Sequence, residues 1–174
     1  MLPDLLTRHL DLVVCEGTSV GNSSASVGAY YAGAGNRFWR TLADVGLTPE
    51  ELAPDQYERL LEYRIGLTDL VKENVGNDRD LHFRFVNVLM LRTKLMSFQP
   101  RYVCFNGKRA AQEFLGTQSI EYGVQPVRYG RTVLFVAPST SAAANGAWDL
   151  SIWHDLARRV LRPRRARGRS PDGR

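Results

Sequence analysis

The chain has little cysteine and little histidine, which limits the metal and disulfide chemistry open to it. Its 174 residues include two cysteines and three histidines. Cys15 and Cys104 each lie inside an apolar run, a position typical of small buried residues rather than of a disulfide or a metal pair. His9, His82 and His154 show no HxE or HxxxH spacing. The sequence therefore predicts no metal site and no cofactor.

Long hydrophobic runs are also missing. No apolar run reaches the ~18 residues that a membrane span requires. The first ten residues carry Asp4, Arg8 and His9, where a signal peptide needs an unbroken apolar segment. We therefore expect a cytoplasmic, nucleoid-associated protein with no membrane partner. The hydrophobic content of 44% is sufficient for one domain with its own core.

The positive charge is concentrated at the C-terminus. Residues 158–174 hold eight arginines against one aspartate, a balance of +7, so residues 1–157 carry −2 of the total of +5. The segment RPRRARGRSPDGR has no apolar periodicity, which is typical of disordered chain. We predict a domain over residues 1–161 and a disordered tail over 162–174. The tail would either track phosphates or only keep the chain soluble.

Short apolar runs alternate with segments of helical spacing. The runs at 10–15, 65–71, 101–105 and 132–137 predict buried strands. This alternation indicates an α/β fold, a single-domain three-layer sandwich with a central four-stranded parallel sheet flanked by helices. Ligands bind beyond the carboxyl ends of such strands. The chemistry is therefore expected after Cys15, Leu70, Phe105 and Ala137.

Several helices are predicted between these strands. Asn36 is a candidate N-cap for a helix that ends before Gly46, and Thr48 with Glu51 suggests a capping box for a second helix. Further helices are expected at 108–115 and 147–160. The segment 83–98 predicts an amphipathic helix, with one side formed by Val86, Leu89, Met90, Thr93 and Met96.

The stretch EGTSVGNSSASVGAYYAGAGNRFW, residues 16–39, combines small residues with aromatic rings near its end. A flexible loop is the simple alternative, but such a loop has no need for those rings. Glycine permits close approach of the backbone to a ligand. The dinucleotide pattern GxGxxG and the phosphate pattern GKS or GKT are both missing. A planar ligand is therefore favoured.

This stretch resembles the first motif of the mismatch-specific uracil-DNA glycosylases, relatives of the thymine-DNA glycosylases. Their pattern, G-x-N-P-G, small residues, an aromatic and NRFW, matches residues 17–39 without a gap. The segment STSAAAN at 139–145 is similar to their second motif, N-P-S-G-L-S. EYRIGLTDLV and FNGK resemble the segments between, so the likeness covers roughly residues 10–160.

The resemblance implies a DNA glycosylase that excises uracil, and other deaminated or mispaired bases, without metal. Such an enzyme extrudes the nucleotide and recognises the base by stacking and by hydrogen bonds to its edge. The implied base-binding residues are Gly17, Thr18, Gly21, Tyr31 and Asn36, with Tyr31 stacking on the base. The implied DNA contacts are Asn106, Lys108, Ser139, Ser141, Ala143 and Asn145.

One departure from the family concerns the attacking water. The family has Asn or Asp at the third position of the first motif, and this chain has Ser19, which supplies no negative charge. Asp69, at the end of the second strand, is the acid we expect to compensate, with a solvent-facing or capping carboxylate as the alternative. Two other functions stay open. One is a non-catalytic or weakly active binder of damaged or abasic DNA, and the other is a hydrolase of free nucleotides. The resemblance also implies a monomer.

Overall fold

A computed structural model of the chain describes residues 2–18, 28–71 and 81–163, and only the backbone of residues 18 and 81–85. Within these ranges five strands form one sheet in the order β2-β1-β3-β5-β4. All neighbours pair in parallel except β4, which runs antiparallel to β5. The α/β fold with a mostly parallel sheet is confirmed, but the sheet has five strands instead of four. The strands are β1 (Leu12–Thr18), β2 (Ile65–Val71), β3 (Tyr102–Asn106), β4 (Gly123–Tyr129) and β5 (Thr132–Ala137).

The helices in the described ranges cover both faces of this sheet. Two 3₁₀ segments, Pro54–Tyr63 and Ala142–Ala147, lie among them. Trp153 packs in the core on one face, whereas Phe114 packs in the core on the other. The apolar run predicted at 10–15 overlaps the first part of β1, an inner strand whose two faces are both buried. The helices are α1 (Phe38–Asp44), α2 (Leu81–Phe98), α3 (Lys108–Leu115) and α4 (Leu150–Leu161).

Alternation along the strands assigns the two cysteines to different cores. Val14 and Cys104 face the core that contains α1 and α4, while Cys15 faces the core that contains α3. The two cysteines form no disulfide, and both are buried. The prediction that they act as small buried residues is confirmed, because the sheet itself separates their side chains.

The capping box predicted at Thr48 and Glu51 is wrong, although a helical segment does follow it. The Thr48 hydroxyl donates to the carbonyl oxygen of Glu50 at 2.8 Å, within a turn. The helical segment begins only at Pro54, where the Gln56 side chain accepts from the Ala53 amide at 3.0 Å, and it is a 3₁₀ segment. Proline at the first position starts such a segment because its fixed φ is helical and it has no amide hydrogen to satisfy.

The amphipathic side predicted for α2 exists but faces solvent. Between 38% and 51% of each of Val86, Leu89, Met90 and Met96 is exposed. The buried positions are Asn87, Leu91 and Leu95, which pack toward β2 and α3. Periodicity identified the helix but not the side that packs. In the part of the chain that is described, no helix has the length and apolarity needed to cross a bilayer.

Candidate functional site

A row of polar side chains crosses the carboxyl ends of three neighbouring strands. Asp69 on β2 is the registered partner of Glu16 on β1. Asn106, the last residue of β3, follows Phe105, which is the partner of Cys15, so it continues the row beside Glu16. Registered neighbours in a parallel sheet point to the same face. Asp69, Glu16 and Asn106 therefore share the face that carries Tyr30, Tyr31 and α1.

Asp69 is buried in this row, next to the hydroxyl of Tyr30. Only 1% of its surface is exposed, and its Oδ2 lies 3.4 Å from the hydroxyl of Tyr30. The same hydroxyl lies 3.1 Å from the carbonyl oxygen of Pro3, so two acceptors share one proton. Burial, followed by the charges of Asp69 and Asp4, raises the pKa of Tyr30, which keeps this donor protonated.

Tyr31, the predicted base-stacking residue, lies in the same cluster with one ring face already occupied. Its ring stacks on Phe38 with centroids 3.8 Å apart and an interplanar angle of 22°. Its φ of 54° is positive, which is uncommon for a residue with a bulky side chain. Burial, then the charges of Glu16 and Asp69, hold its pKa well above the usual range. Its role in base stacking stays a prediction.

The protonation of Glu16 in this row is strongly perturbed. Burial, and then the charge of Asp69, raise the pKa of Glu16 to about 8. Two carboxyl groups side by side in a buried setting disfavour double ionisation. Glu16 is therefore largely neutral at pH 7. The site can hold a neutral carboxyl and a second carboxyl next to each other, an arrangement suited to acid and base chemistry.

The other predicted base-binding residues lie around this row or outside the described ranges. Gly17 and Thr18 complete β1, with Thr18 paired to Val71. The N-cap of α1 is Arg37 and not the predicted Asn36, although the Asn36 side chain accepts from the amide of Phe38 at 3.0 Å, one residue before the cap. Asn36 also lines a cleft with Tyr31 and Trp39. The predicted residues Ser19 and Gly21 lie outside the described residues.

The loop after β5 is tied to the end of β3. The Asn106 side chain donates to the Thr140 hydroxyl at 2.9 Å and accepts from the Thr140 amide at 3.0 Å. Both residues are buried. The sequence predicted that Asn106 contacts DNA. In the structure its side-chain amide fixes the loop after β5 to the end of β3. Contact with DNA by Asn106 stays a prediction.

The rest of that loop presents small side chains. Ser139 Oγ accepts from the Ser141 amide and Ser141 Oγ accepts from the Ala143 amide, each at 3.3 Å. Ala143 and Asn145 are exposed on the following 3₁₀ segment. The sequence thus indicated the correct location for an exposed small-residue loop, although its contact with DNA is untested.

A comparison with protein families shows to which family the chain belongs. The pattern of the uracil DNA glycosylase superfamily matches residues 5–157, from the segment before β1 into α4. The chain belongs to the uracil DNA glycosylase superfamily. Its fold is similar to the solution NMR structure of a candidate uracil DNA glycosylase from Methanosarcina acetivorans. That likeness has a TM-score of 0.58 and 21% identity, and it covers 91% of this chain and 96% of the other.

Within this glycosylase fold, Lys108 opens α3 beside the site. Its ammonium lies 3.8 Å from Glu121 Oε2 and 4.6 Å from the ring centre of Tyr122. Gly107, just before it, has a φ of 113° and its Cα approaches Ser139, where an added Cβ would lie 3.3 Å from that side chain. A glycine at this point therefore lets the β3 and β5 loops meet. Lys108 remains a predicted phosphate contact.

Sequence reasoning missed two residues of this candidate site, Glu16 and Arg37. Glu16 follows Leu12 and Val14 at alternate positions of one strand, so its face could have been inferred, but its pairing with Asp69 depends on strand order. Arg37 donates to the Asn145 side chain and lies 5.1 Å from the ring centre of Trp148. Among the described residues, no group of three or more His, Cys, Asp or Glu side chains could hold a metal.

Proposed function

We propose that this chain is a monofunctional DNA-repair glycosylase that extrudes uracil from DNA and hydrolyses its N-glycosidic bond. The observation that carries this proposal is the position of Asp69. It lies at the carboxyl end of β2, in register with Glu16 and close to Tyr31, within the segment that matches the superfamily. The resemblance to the mismatch-specific branch supports the choice of uracil, and of other deaminated or mispaired bases.

The chemistry assigned to the site is a hydrolysis. A water oxygen forms a bond to C1′ while the bond from C1′ to the base nitrogen breaks, and the base leaves with that electron pair. The water loses a proton to Asp69, and the base takes one up. A buried carboxylate stabilises the positive charge that develops on the sugar, because its charge is poorly screened there. Ser19 would help to place the water.

The remaining predicted residues bind the substrate in this proposal. Tyr31 and the backbone around Gly17 hold the extruded base, and the loop from Ser139 to Asn145 presses against the strand. Lys108 contributes a positive charge at the start of a helix. The products would be a free base and an abasic strand, which is the starting point of base excision repair. We expect the protein to act as a monomer in the cytoplasm, at the nucleoid.

The test is base release from a labelled oligonucleotide that contains one uracil. The substrate is used single-stranded and opposite G or A, with EDTA present, and strand scission is measured before and after alkali. Scission only after alkali is the expected result, since a monofunctional glycosylase leaves an intact abasic strand. Scission before alkali would contradict the monofunctional mechanism. No scission in either case would contradict the function.

Asp69→Asn tests the residue that carries the proposal. The amide keeps the size of the side chain but removes the charge, so we expect base release to fall by roughly 10²- to 10³-fold with binding largely retained. Asp44→Asn is the matched control, because Asp44 is exposed on α1 and pairs only with Arg40 at 3.5 Å. Equal rates for Asp69→Asn and the parent would remove Asp69 from the mechanism.

A binder of damaged DNA is the second candidate, and the burial of Asp69 favours it. With 1% of its surface exposed, Asp69 reaches a water near C1′ only if the site opens around the substrate. A retained gel shift on uracil or abasic DNA, with no base release by the parent, would establish this candidate instead.

A further inference from the structure

Glu16 is the side chain of the site that the proposed hydrolysis does not use. It stands between Asp69 and Asn106 in the row at the carboxyl ends of β1, β2 and β3. It is partly buried, and no hydrogen bond from a described residue is among the causes that shift its pKa, which are burial and the charge of Asp69. A buried carboxyl group is normally hydrogen-bonded. This position is therefore open for a partner from outside the described chain.

A second polar group, the hydroxyl of Tyr31, lies close to Glu16. The Tyr31 hydroxyl is buried and meets no hydrogen-bond partner among the described residues. The Asn106 amide approaches the Tyr31 hydroxyl as a donor and so lowers the pKa of Tyr31, but the two groups do not reach normal hydrogen-bond geometry, and the amide nitrogen and oxygen of Asn106 both bond to Thr140. Two adjacent polar groups of this kind, on different elements, indicate a ligand that carries both donors and acceptors.

The surroundings of Glu16 determine its protonation. The titratable groups that face it are Asp69 from β2 and the hydroxyl of Tyr31 from the segment before α1, and β3 contributes the neutral Asn106 amide. Among the described residues no cation faces it. Glu16 therefore keeps its proton next to Asp69 at neutral pH, and burial with the Asp69 charge places its pKa at about 8.

A neutral carboxyl group and an ionised one recognise different bases. The neutral group presents one O–H donor beside one carbonyl acceptor, whereas the ionised group only accepts. The pair of donor and acceptor is complementary to a lactam edge, an N–H next to a C=O, which uracil, hypoxanthine and xanthine share. The ionised group instead suits the amino groups of cytosine and adenine.

We propose that the protonated carboxyl of Glu16, with the Tyr31 hydroxyl beside it, recognises the lactam edge of the extruded base and so selects deaminated bases over their amino parents. This inference rests on the proposed glycosylase function. It assigns specificity to Glu16 and leaves the hydrolysis to Asp69. A consequence is that recognition weakens as pH rises through the pKa of Glu16.

The test compares the parent with Glu16→Gln and Glu16→Met on oligonucleotides that contain uracil, hypoxanthine or cytosine. The Gln amide also presents one donor beside one acceptor but does not ionise. We expect kcat/KM of the parent on uracil to fall above pH 8, and that of Glu16→Gln to stay level over the same range. Glu16→Met keeps the length without polar atoms, and should lose roughly 10- to 100-fold on lactam bases at pH 7.

The outcomes separate this inference from the proposed function. Loss of the pH dependence in Glu16→Gln supports the inference, and the same fall above pH 8 in both proteins overturns it. A Glu16→Met rate equal to that of the parent, with a folded thermal transition, also overturns it. If the parent releases no base at any pH, the proposed function fails. The same pH comparison is then made on binding of the uracil oligonucleotide, where loss of pH dependence in Glu16→Gln supports recognition and its persistence overturns it.

Discussion

Arg37 and Asn145, which are 108 positions apart in the sequence, are joined by a hydrogen bond from the guanidinium Nη2 to the amide oxygen Oδ1. The backbone amide of Arg37 also donates to the carbonyl oxygen of Thr140 at 2.9 Å. The guanidinium lies over Trp148. The segment before α1 and the loop after β5, which carry the two motifs of the resemblance, are therefore joined by both the side chain and the backbone of Arg37.

Replacing this arginine should weaken DNA binding without unfolding the protein. Arg37→Gln loses a charge-assisted hydrogen bond, worth about 1.5–3 kcal/mol, and the contact with Trp148. We expect about a tenfold loss in affinity for abasic DNA in a gel-shift titration. Arg40→Gln is the control, since Arg40 is 75% exposed in its side chain and pairs only with Asp44. Equal affinity of both variants would show that the loop does not depend on Arg37.

The Tyr31 ring should matter for stability, and its hydroxyl should not. Tyr31→Ala removes a ring that stacks on Phe38, which we expect to cost about 3–5 kcal/mol in the free energy of unfolding. Tyr31→Phe keeps the ring and removes a hydroxyl that has no hydrogen-bond partner in the described part of the chain, so its change should stay within about 1 kcal/mol. Urea denaturation measures both. A large loss in Tyr31→Phe would reveal a partner for the hydroxyl.

The pH dependence of stability should report on Glu16. Its pKa is raised from 4.5 to about 8 on folding, so the folded chain binds more protons than the unfolded chain between these values. Stability is therefore fully present below pH 4.5 and is lost as pH rises through 8, by at most about 1.4 kcal/mol per pH unit. Glu16→Gln has no such loss. Its advantage in melting temperature should grow from pH 5 to pH 8.

The control for this measurement is Glu62→Gln, because Glu62 lies 3.8 Å from Arg59 with 61% of its side chain exposed. This variant should follow the parent at every pH. A melting curve for Glu16→Gln that also parallels the parent from pH 5 to pH 8 would show that Glu16 ionises normally in the folded chain.

A single methyl group at Gly66 should destabilise the edge of the sheet. An added Cβ there would lie 2.5 Å from the carbonyl oxygen of Leu5 and 2.6 Å from Cδ1 of Leu10. We expect Gly66→Ala to lose about 1–3 kcal/mol, measured as a lower melting temperature. Gly146→Ala is the matched control, because nothing lies within 4 Å of its added Cβ. A loss of equal size at Gly146 would indicate a general cost of replacing glycine.

Local pattern predicted well the strands that are buried on both faces, including the edge strand β2. The runs at 65–71 and 132–137 match β2 and β5 residue for residue, because strands buried on both faces are continuous apolar runs. The edge strand β4 was missed. It contains Pro126 and the exposed residues Val124 and Val127, and its pairing with β5 is irregular between Val124 and Arg128. An edge strand tolerates these features, so its sequence carries a weaker signal.

The sequence predicted where the site lies better than it predicted which residues form the site. Asp69 was named because the carboxyl ends of parallel strands form the site in this class of fold. Its neighbour Glu16 was missed, since strand order, which sets the pairs across a sheet, depends on the connections between strands. The exposed side of α2 shows the same limit. The helical period predicted that the side of α2 with Leu89 and Met96 would be buried. In the structure the side with Leu91 and Leu95 is buried instead, because the packing of the helix on the sheet decides which side faces the core.

Leu5 forms two hydrogen bonds with Leu67, at 2.9 Å and 3.0 Å, along the outer side of β2. This antiparallel bridge interrupts that edge of the sheet at its middle, while Pro126 and the irregular pairing interrupt the opposite edge at β4. Open strand edges are the usual starting points for ordered aggregation and for exchange of strands between copies. Both ends of this sheet thus resist self-association through added strands, and substitutions at Leu5 or Pro126 are the changes most apt to reduce solubility during purification.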